Sequence, residues 1–496
     1  MPWKSHHFVL KPLLKELANR GHEVHYFTPA PMANPPEGLK QFVVHDMQHE
    51  SMSTLDGIDV ANLNVFHSQS IVVTRLCAAI LERTFKFDQV SMDLLKSNES
   101  YDAVMTEFTL GNEPAAYLAH KFEAVSILFT GFPDHPWVNE LAGLTDNPSY
   151  MVSYYSTMMG KLNFWQRLYN TYITTSILLA TYYDLWVTHQ ELADRVMRYE
   201  GWHNRPKLAD MMGETALFLI NTHPSTGLPY PKAPHVKEIS GMHIEASPTL
   251  PKDLQEFMDD ASHGVIYFSL GSVNDPAEML KDGKFDAFLN VFRQLKQKVM
   301  WKVAPGMPDV QDPNIRLQTW YPQQAILAHE NLKLFITHGG LQSMIEAIAH
   351  GVPVLGIPGF FDQLKNVAFM EHVGMGLSLT TDNITEKTVS RSINELLNNP
   401  TYREQAKIRQ SLFKDRPKKP VDEAVYWIEY VLRHGNILRP ASASMPFYQV
   451  YLLDVITTVI LVSLITLWVT KQVLKAVFSM LRRTKKGEIS LKKKLN

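Results

Sequence analysis

The densest concentration of residues able to do chemistry lies between Trp320 and Gln363. A short apolar run, Lys333 to Thr337, leads into His338-Gly339-Gly340 and then into a helical period from Leu341 to His350. Two glycines at a strand-to-helix turn let a ligand approach the backbone closely, and a helix N-terminus favours an anion. Ser343 in the first turn can add a hydroxyl to a phosphate cradle, and Glu346 one turn on can accept from sugar hydroxyls. Leu341, Ile345 and Ile348 share one face of this helix, with Ser343, Glu346 and His350 on the other. Taken alone, a Gly-Gly turn is as well explained by a tight connection beside a satisfied histidine. Its neighbours widen the chemistry: an indole at Trp320 for a base, amides at Gln323 and Gln363, and a carboxylate at Asp362 for hydroxyls. Near the start stand His6 and His7; adjacent histidines close to a terminus are by themselves more often solvated than catalytic. No pair of aspartates separated by one residue precedes these elements, so no metal site is expected.

Short apolar runs alternating with helical periods must position these residues, which is an α/β pattern. Leu10, Leu13, Leu14 and Leu17 have helical spacing, with Pro12 expected in the first turn, where a missing N–H costs nothing. Gly21 ends that helix. Strands are expected at Val24–Phe27, Tyr101–Met105, Val265–Ser269, Lys298–Val303, Lys333–Thr337 and Val352–Ile357. Prolines from Pro224 to Pro251 mark a linker. The organisation expected is residues 1–230 as one Rossmann-like domain and 231–440 as a second. Ligands of such sheets bind in the crevice at the carboxyl ends of the strands.

Composition bounds the remaining possibilities. The 496 residues are 45% hydrophobic and 20% charged, which excludes disorder and fibrous repeats. The net charge of −2 divides into +8 from Lys471 to Asn496, −1 at Asp454 and −9 over residues 1–453. An acidic body argues against nucleic-acid binding. The lone Cys77, in an apolar stretch, reads as a small buried hydrophobe and excludes any intrachain disulfide. Residues 450–470 carry one charge, Asp454, and at about 1.5 Å per residue are long enough to cross a bilayer core. The positive-inside rule then places residues 471–496 in the cytosol and the body on the other side. The terminal Lys493-Lys494-Leu495-Asn496 looks like a dilysine endoplasmic-reticulum retrieval signal, and Asn98 and Asn383 head glycosylation sequons. Ile173–Trp186, apolar and aromatic but interrupted by Asp184, reads as a packed or membrane-facing helical region too short to span.

The run Trp320-Tyr-Pro-Gln323-Gln324, Phe-Ile-Thr-His338-Gly-Gly, Glu346, Gly351-Val-Pro-Val and Asp362-Gln363 resembles the signature of UDP-glycosyltransferases. It is similar to the membrane-bound animal UDP-glucuronosyl/glucosyltransferases, of invertebrate type. Ser5-His6, Arg20-Gly21-His22-Glu23-Val24, Phe268-Ser269-Leu270-Gly271-Ser272 and the anchored C-terminus extend the likeness over nearly the whole chain. The resemblance implies a GT-B fold: two Rossmann-like domains facing across a cleft, plus one C-terminal transmembrane helix. It implies that Trp320 stacks on uracil and Gln323 reaches the nucleoside. His338, the Gly340 backbone, Ser343 and Ser272 would hold the diphosphate, Glu346 the ribose, and Asp362 with Gln363 the transferred sugar.

In this family a histidine just before the first helix deprotonates the acceptor. His6 matches it, with His7 as the fallback, and a helix N-terminus favours the neutral imidazole that a base must be. The orienting aspartate of the family is matched by Glu107, a longer carboxylate that changes the geometry. The activity implied is inverting transfer of glucose or glucuronate from a UDP-sugar to a small lipophilic acceptor, with the co-substrate in place of any cofactor. The aromatic region 150–190 reads either as a lipophilic envelope for the acceptor or as core packing. Residence in the endoplasmic-reticulum membrane and homo- or hetero-oligomers are implied as well. The resemblance also implies a signal peptide and a first strand ahead of Ser5-His6, and the opening Met1-Pro-Trp-Lys shows neither. On that expectation the first sheet lacks a central strand, His6 lies on a frayed terminus, and the alternative is a catalytically impaired UDP-sugar-binding partner protein.

Overall fold

Continuous apolar runs become parallel strands buried on both faces in a computed structural model, which describes residues 4–45, 66–133, 136–271, 276–359 and 362–494. Contacts cluster the chain into two units, Met1–Ala443 and Ser444–Asn496.

In the first unit, a six-stranded parallel sheet has the order β12-β11-β10-β7-β8-β9. Its strands are β7 (Val265–Ser269), β8 (Lys298–Lys302), β9 (Ile315–Gln318), β10 (Leu332–Thr337), β11 (Val354–Gly356) and β12 (Gly376–Ser378). Alternation sends Tyr267 to one face, stacked on Phe335 with ring centroids 5.2 Å apart, and Phe268 to the other, stacked on Trp301 at 5.1 Å. Each face has its own apolar core.

A four-stranded parallel sheet runs β3-β4-β5-β6, formed by β3 (Ala103–Glu107), β4 (Val125–Thr130), β5 (Leu217–Ile220) and β6 (Val236–Glu238). Among the described residues, strands β1 (Val24–Thr28) and β2 (Leu39–Val43) pair only with each other. A cavity of about 520 Å³ lies between β1 and β3, walled also by Leu10, Leu14 and Leu17. Cys77 is fully buried.

The first helix, Lys4–Asn19, buries Val9, Leu10, Leu13, Leu14 and Leu17 against Ala424, Val425, Ile428 and Val431 of the returning helix Pro420–His434. The helix starts earlier than expected, so Pro12 lies in its interior rather than in its first turn. Proline removes the hydrogen bond to the Phe8 carbonyl, and Phe8 lies on the exposed side, where water can replace that bond. His6 therefore does not precede the helix on a frayed end. It sits inside the first turn, buried and anchored by long-range packing.

Helix Phe164–Tyr183, followed by a π-turn at Asp184–Thr188, buries Asn170, Ile173, Thr174 and Ile177 on one face. Its other face exposes an uncharged stripe of Trp165, Leu168, Tyr169, Tyr172, Leu179 and Tyr183. Among the described residues that stripe does not join the core.

In the second unit a single helix runs Leu453–Lys494, and its Leu453–Lys485 portion is long and apolar enough to cross a membrane. It begins three residues later than the expected start at Val450, which instead ends a separate short helix, Phe447–Val450. The basic segment continues as the same helix.

Candidate active site

The two residues expected to form the catalytic pair come from the first helix and the end of β3. Nδ1 of His6 lies 2.5 Å from Oε1 of Glu107, with both side chains buried. Thr109 Oγ1 donates to the same carboxylate oxygen at 3.3 Å, and the Gly131 N–H at 3.4 Å. Burial works to raise the Glu107 carboxyl, but the charge and hydrogen bond of His6 outweigh it and hold it below its ordinary value. Phe132 meets the imidazole edge-on, with centroids 4.5 Å apart. The extra methylene of a glutamate is thus accommodated, because Glu107 closes β3 directly beneath the helix turn that carries His6. His7 points elsewhere: its Nδ1 bonds to the hydroxyls of Tyr26 (2.5 Å) and Thr28 (3.2 Å).

Across the cleft, His338 follows β10 and is packed so closely that a Cβ on Gly271 would come 2.4 Å from its Cε1, and one on Gly340 2.6 Å from its Nε2. Burial, reinforced by the charge of Lys302, lowers the His338 imidazole to about 4, so it is a neutral donor at physiological pH. Gly339 has φ of +86°, and a Cβ there would strike Val367. Gly340 caps helix Leu341–His350 without any side-chain hydrogen bond; Asp362 takes the Leu341 N–H, and the next N–H groups of the first turn face the N-terminal end, where an anion is favoured.

Gln323 ties the cradle to the next subsite, donating from Nε2 to Ser343 Oγ at 3.0 Å and Glu346 Oε2 at 2.6 Å. Burial raises the Glu346 carboxyl to about 7. Trp320 is 67% exposed, so its indole is an open platform rather than core packing. Asp362 Oδ2 accepts from Asn366 Nδ2 at 2.8 Å and the Leu341 N–H at 3.3 Å, and burial raises its carboxyl to about 6. Gln363 is buried, its Oε1 accepting from the Gly359 N–H at 2.9 Å. Ser272 lies outside the described residues. Asn98 and Asn383 are both exposed.

The two groups meet. Gln342, in the first turn of the phosphate-side helix, donates to the Gly131 carbonyl at 3.3 Å, and Gly131 is the residue packed on His6. Lys365, one turn beyond Asp362, donates to the carbonyls of Ser153 (3.3 Å) and Met158 (3.4 Å). One site therefore combines a histidine–carboxylate pair, an anion cradle and a polar hydroxyl-binding end.

Residues 3–487 match the sequence profile of a family described as UDP-glucoronosyl and UDP-glucosyl transferase. The chain belongs to the UDP-glycosyltransferase family. It is 33% identical over 483 residues to UDP-glucosyltransferase 2 of Dactylopius coccus, a match covering 95% of this chain and 90% of that protein. It is 29% identical over 476 residues to UDP-glucuronosyltransferase 2B15 of Rattus norvegicus, covering 91% and 87%. Among solved structures, the glycotransferase of kitacinnamycin superposes with a TM-score of 0.57 at 18% identity, covering 87% of this chain and 97% of that one. CalG4, the calicheamicin glycosyltransferase, gives 0.54 at 16%, covering 86% and 96%. The fold is GT-B.

Three groups of this UDP-glycosyltransferase escaped the sequence. Asn366, which also donates to the Gly339 carbonyl at 3.0 Å, had a signal in its i,i+4 spacing from Asp362. Lys302, whose Nζ donates to the Gly271 carbonyl at 2.9 Å beside His338, and Gln342 had none. Gly131 supplies a direct check on the dyad: a Cβ there would lie 2.7 Å from His6 Cγ. Gly131→Ala is expected to displace the imidazole and cut kcat by about 10²-fold or more, with UDP affinity, measured by calorimetry, nearly unchanged.

Proposed function

We propose that the protein transfers glucose or glucuronate from its UDP-sugar to the hydroxyl of a small lipophilic acceptor, with inversion. The buried His6–Glu107 pair, linked through Gly131 and Gln342 to the anion cradle, carries this reading. In the reaction Glu107 holds the Nδ1–H of His6, leaving Nε2 to take the acceptor proton. The acceptor oxygen attacks the anomeric carbon, the bond from that carbon to the β-phosphate oxygen breaks, and UDP leaves with the electron pair. His338, the N–H groups after Gly340 and Ser343 bind the diphosphate, with Lys302 adding positive charge behind them. Trp320 stacks on the uracil, Glu346 accepts from the ribose hydroxyls, and Asp362 with Gln363 holds the sugar. The loop of Met151–Ser156, buried next to the Asp362 helix, supplies apolar surface for the acceptor. The name of the Dactylopius relative favours glucose. We also propose that Leu453–Lys485 anchors the protein once in the endoplasmic-reticulum membrane, body lumenal and basic tail cytosolic; the exposed Asn98 and Asn383 are consistent with that side.

Incubation of the purified protein with UDP-glucose or UDP-glucuronate and a simple phenol, reading UDP release, tests the activity. Turnover above that of a no-acceptor control is expected; its absence with both donors would contradict the reading. The pH dependence is specific. A carboxyl raised to about 7 is ionised above that pH and increasingly protonated below it. Only the ionised form accepts two hydroxyls, so KM for the donor is expected to rise about tenfold per pH unit below 7.

A further inference from the structure

The linker that leaves β6 passes over the ribose end of the site and carries a buried histidine that the mechanism leaves unused. Nε2 of His243 lies 3.7 Å from Oε1 of Glu346, and both side chains are buried. Among the described residues neither ring nitrogen of His243 finds a side-chain hydrogen-bond partner, and the backbone of Gln342 is the one polar group that acts on the ring besides Glu346. Buried polar atoms are nearly always satisfied, so an imidazole without a side-chain partner beside a carboxylate needs a reason to be there. An apolar residue would fill the same space without the penalty.

Its backbone is held firmly. Gln324 donates from Nε2 to the His243 carbonyl at 2.9 Å and accepts at Oε1 from the Glu245 N–H, also at 2.9 Å. Gln323, the adjacent residue, holds the other oxygen of Glu346 at 2.6 Å. Two consecutive glutamines at the head of helix Gln323–Ala328 therefore fix the carboxylate and the histidine against each other.

We propose that His243 is a positioning residue for Glu346, donating from Nε2–H to Oε1 when a nucleotide is bound. The inference rests on reading Glu346 as the ribose ligand. The present 3.7 Å closes to hydrogen-bond distance with a small rotation of either side chain. With Gln323 on Oε2 and His243 on Oε1, each oxygen keeps a lone pair, and the two point together at a vicinal diol. Without His243, Oε1 loses the donor that the linker brings to it, and the carboxylate turns more easily about its bond to Gln323.

The test compares UDP with 2′,3′-dideoxy-UDP, which lacks both ribose hydroxyls, by calorimetric titration of the full chain. His243→Phe fills the space without a donor, and His243→Gln restores an N–H near the position of Nε2. His243→Phe should weaken UDP about 10- to 100-fold, the range of a hydrogen bond to a charged group, while leaving dideoxy-UDP binding unchanged. His243→Gln should recover most of the UDP affinity. In turnover, KM for the UDP-sugar should rise by the same factor in His243→Phe, with kcat within about twofold. If His243→Phe binds UDP as the wild type does, or weakens both nucleotides equally, or His243→Gln gives no recovery, the proposal is overturned. If the wild type itself does not distinguish UDP from dideoxy-UDP, Glu346 is not the ribose ligand and the proposal falls with that assignment. Discrimination present in the wild type and intact in His243→Phe overturns the role of His243 alone.

Discussion

Replacing His6 by alanine is expected to lower kcat by about 10²–10⁴-fold, the usual contribution of a general base, while UDP binds as before. The expectation follows from geometry, because His6 is the imidazole paired with a buried carboxylate and packed against the turn that Gln342 grips from the donor side. Alanine would also leave the Glu107 carboxylate buried without the Nδ1–H donor of His6, a cost of about 1–3 kcal/mol that lowers the melting temperature. His6→Asn separates the two effects, since its amide N–H can replace Nδ1–H toward Glu107 but cannot take a proton. Equal loss of kcat in both variants, with melting restored only in the asparagine, is the expected result. Glu107→Gln should lose activity in the same direction, because an amide can present either atom to Nδ1 and no longer fixes the tautomer. A substantially active His6→Asn enzyme would mean that another group takes the acceptor proton.

Glu346→Ala should have the largest effect on donor binding. A carboxylate accepting two hydroxyls makes charge-assisted bonds of about 1.5–3 kcal/mol each, so a 10²–10³-fold rise in KM for the UDP-sugar is expected. Trp320→Ala should cost less, about 10- to 100-fold, because one face of an exposed indole contributes only stacking. Neither change should reorder a panel of acceptors. A shift in acceptor preference larger than the change in donor KM would remove both residues from the nucleotide site. The two predictions are independent, since Gln323 ties Glu346 to Ser343 and leaves Trp320 untouched.

Local pattern revealed the donor half far better than the acceptor half. Strand β7 is buried throughout and β10 at every position but Lys333, so each reads as an apolar run ending at a turn. His338, Gly340, Ser343 and Glu346 lie on one such strand-turn-helix unit, and sequence order alone brings them together. Strand β5, only Leu217–Ile220, is equally apolar but too short to be told from a helix fragment, and β4 escaped as well. The dyad lay beyond any local signal. His6 and Glu107 are 101 positions apart, and only the family resemblance joined them. The expectation that His6 sits on a loose terminus failed because long-range partners, Glu107, Gly131 and Phe132, hold it there. Lys302 and His243 were missed for the same reason: each matters through a contact that no spacing encodes. The aromatic segment was placed on a helix correctly, but its exposed stripe could not be told from core without knowing which face packs.

The anomeric configuration of the product tests the central claim most directly. UDP-sugar donors of this kind carry an α-linked sugar, and in-line attack by an acceptor deprotonated at His6 permits only inversion. Proton NMR of the product from UDP-glucose and a phenol should show the large H1–H2 coupling of a β-glucoside. It should form in step with UDP release and vanish in His6→Ala. An α-glucoside, or β-glucoside formation that survives loss of His6, would contradict the mechanism.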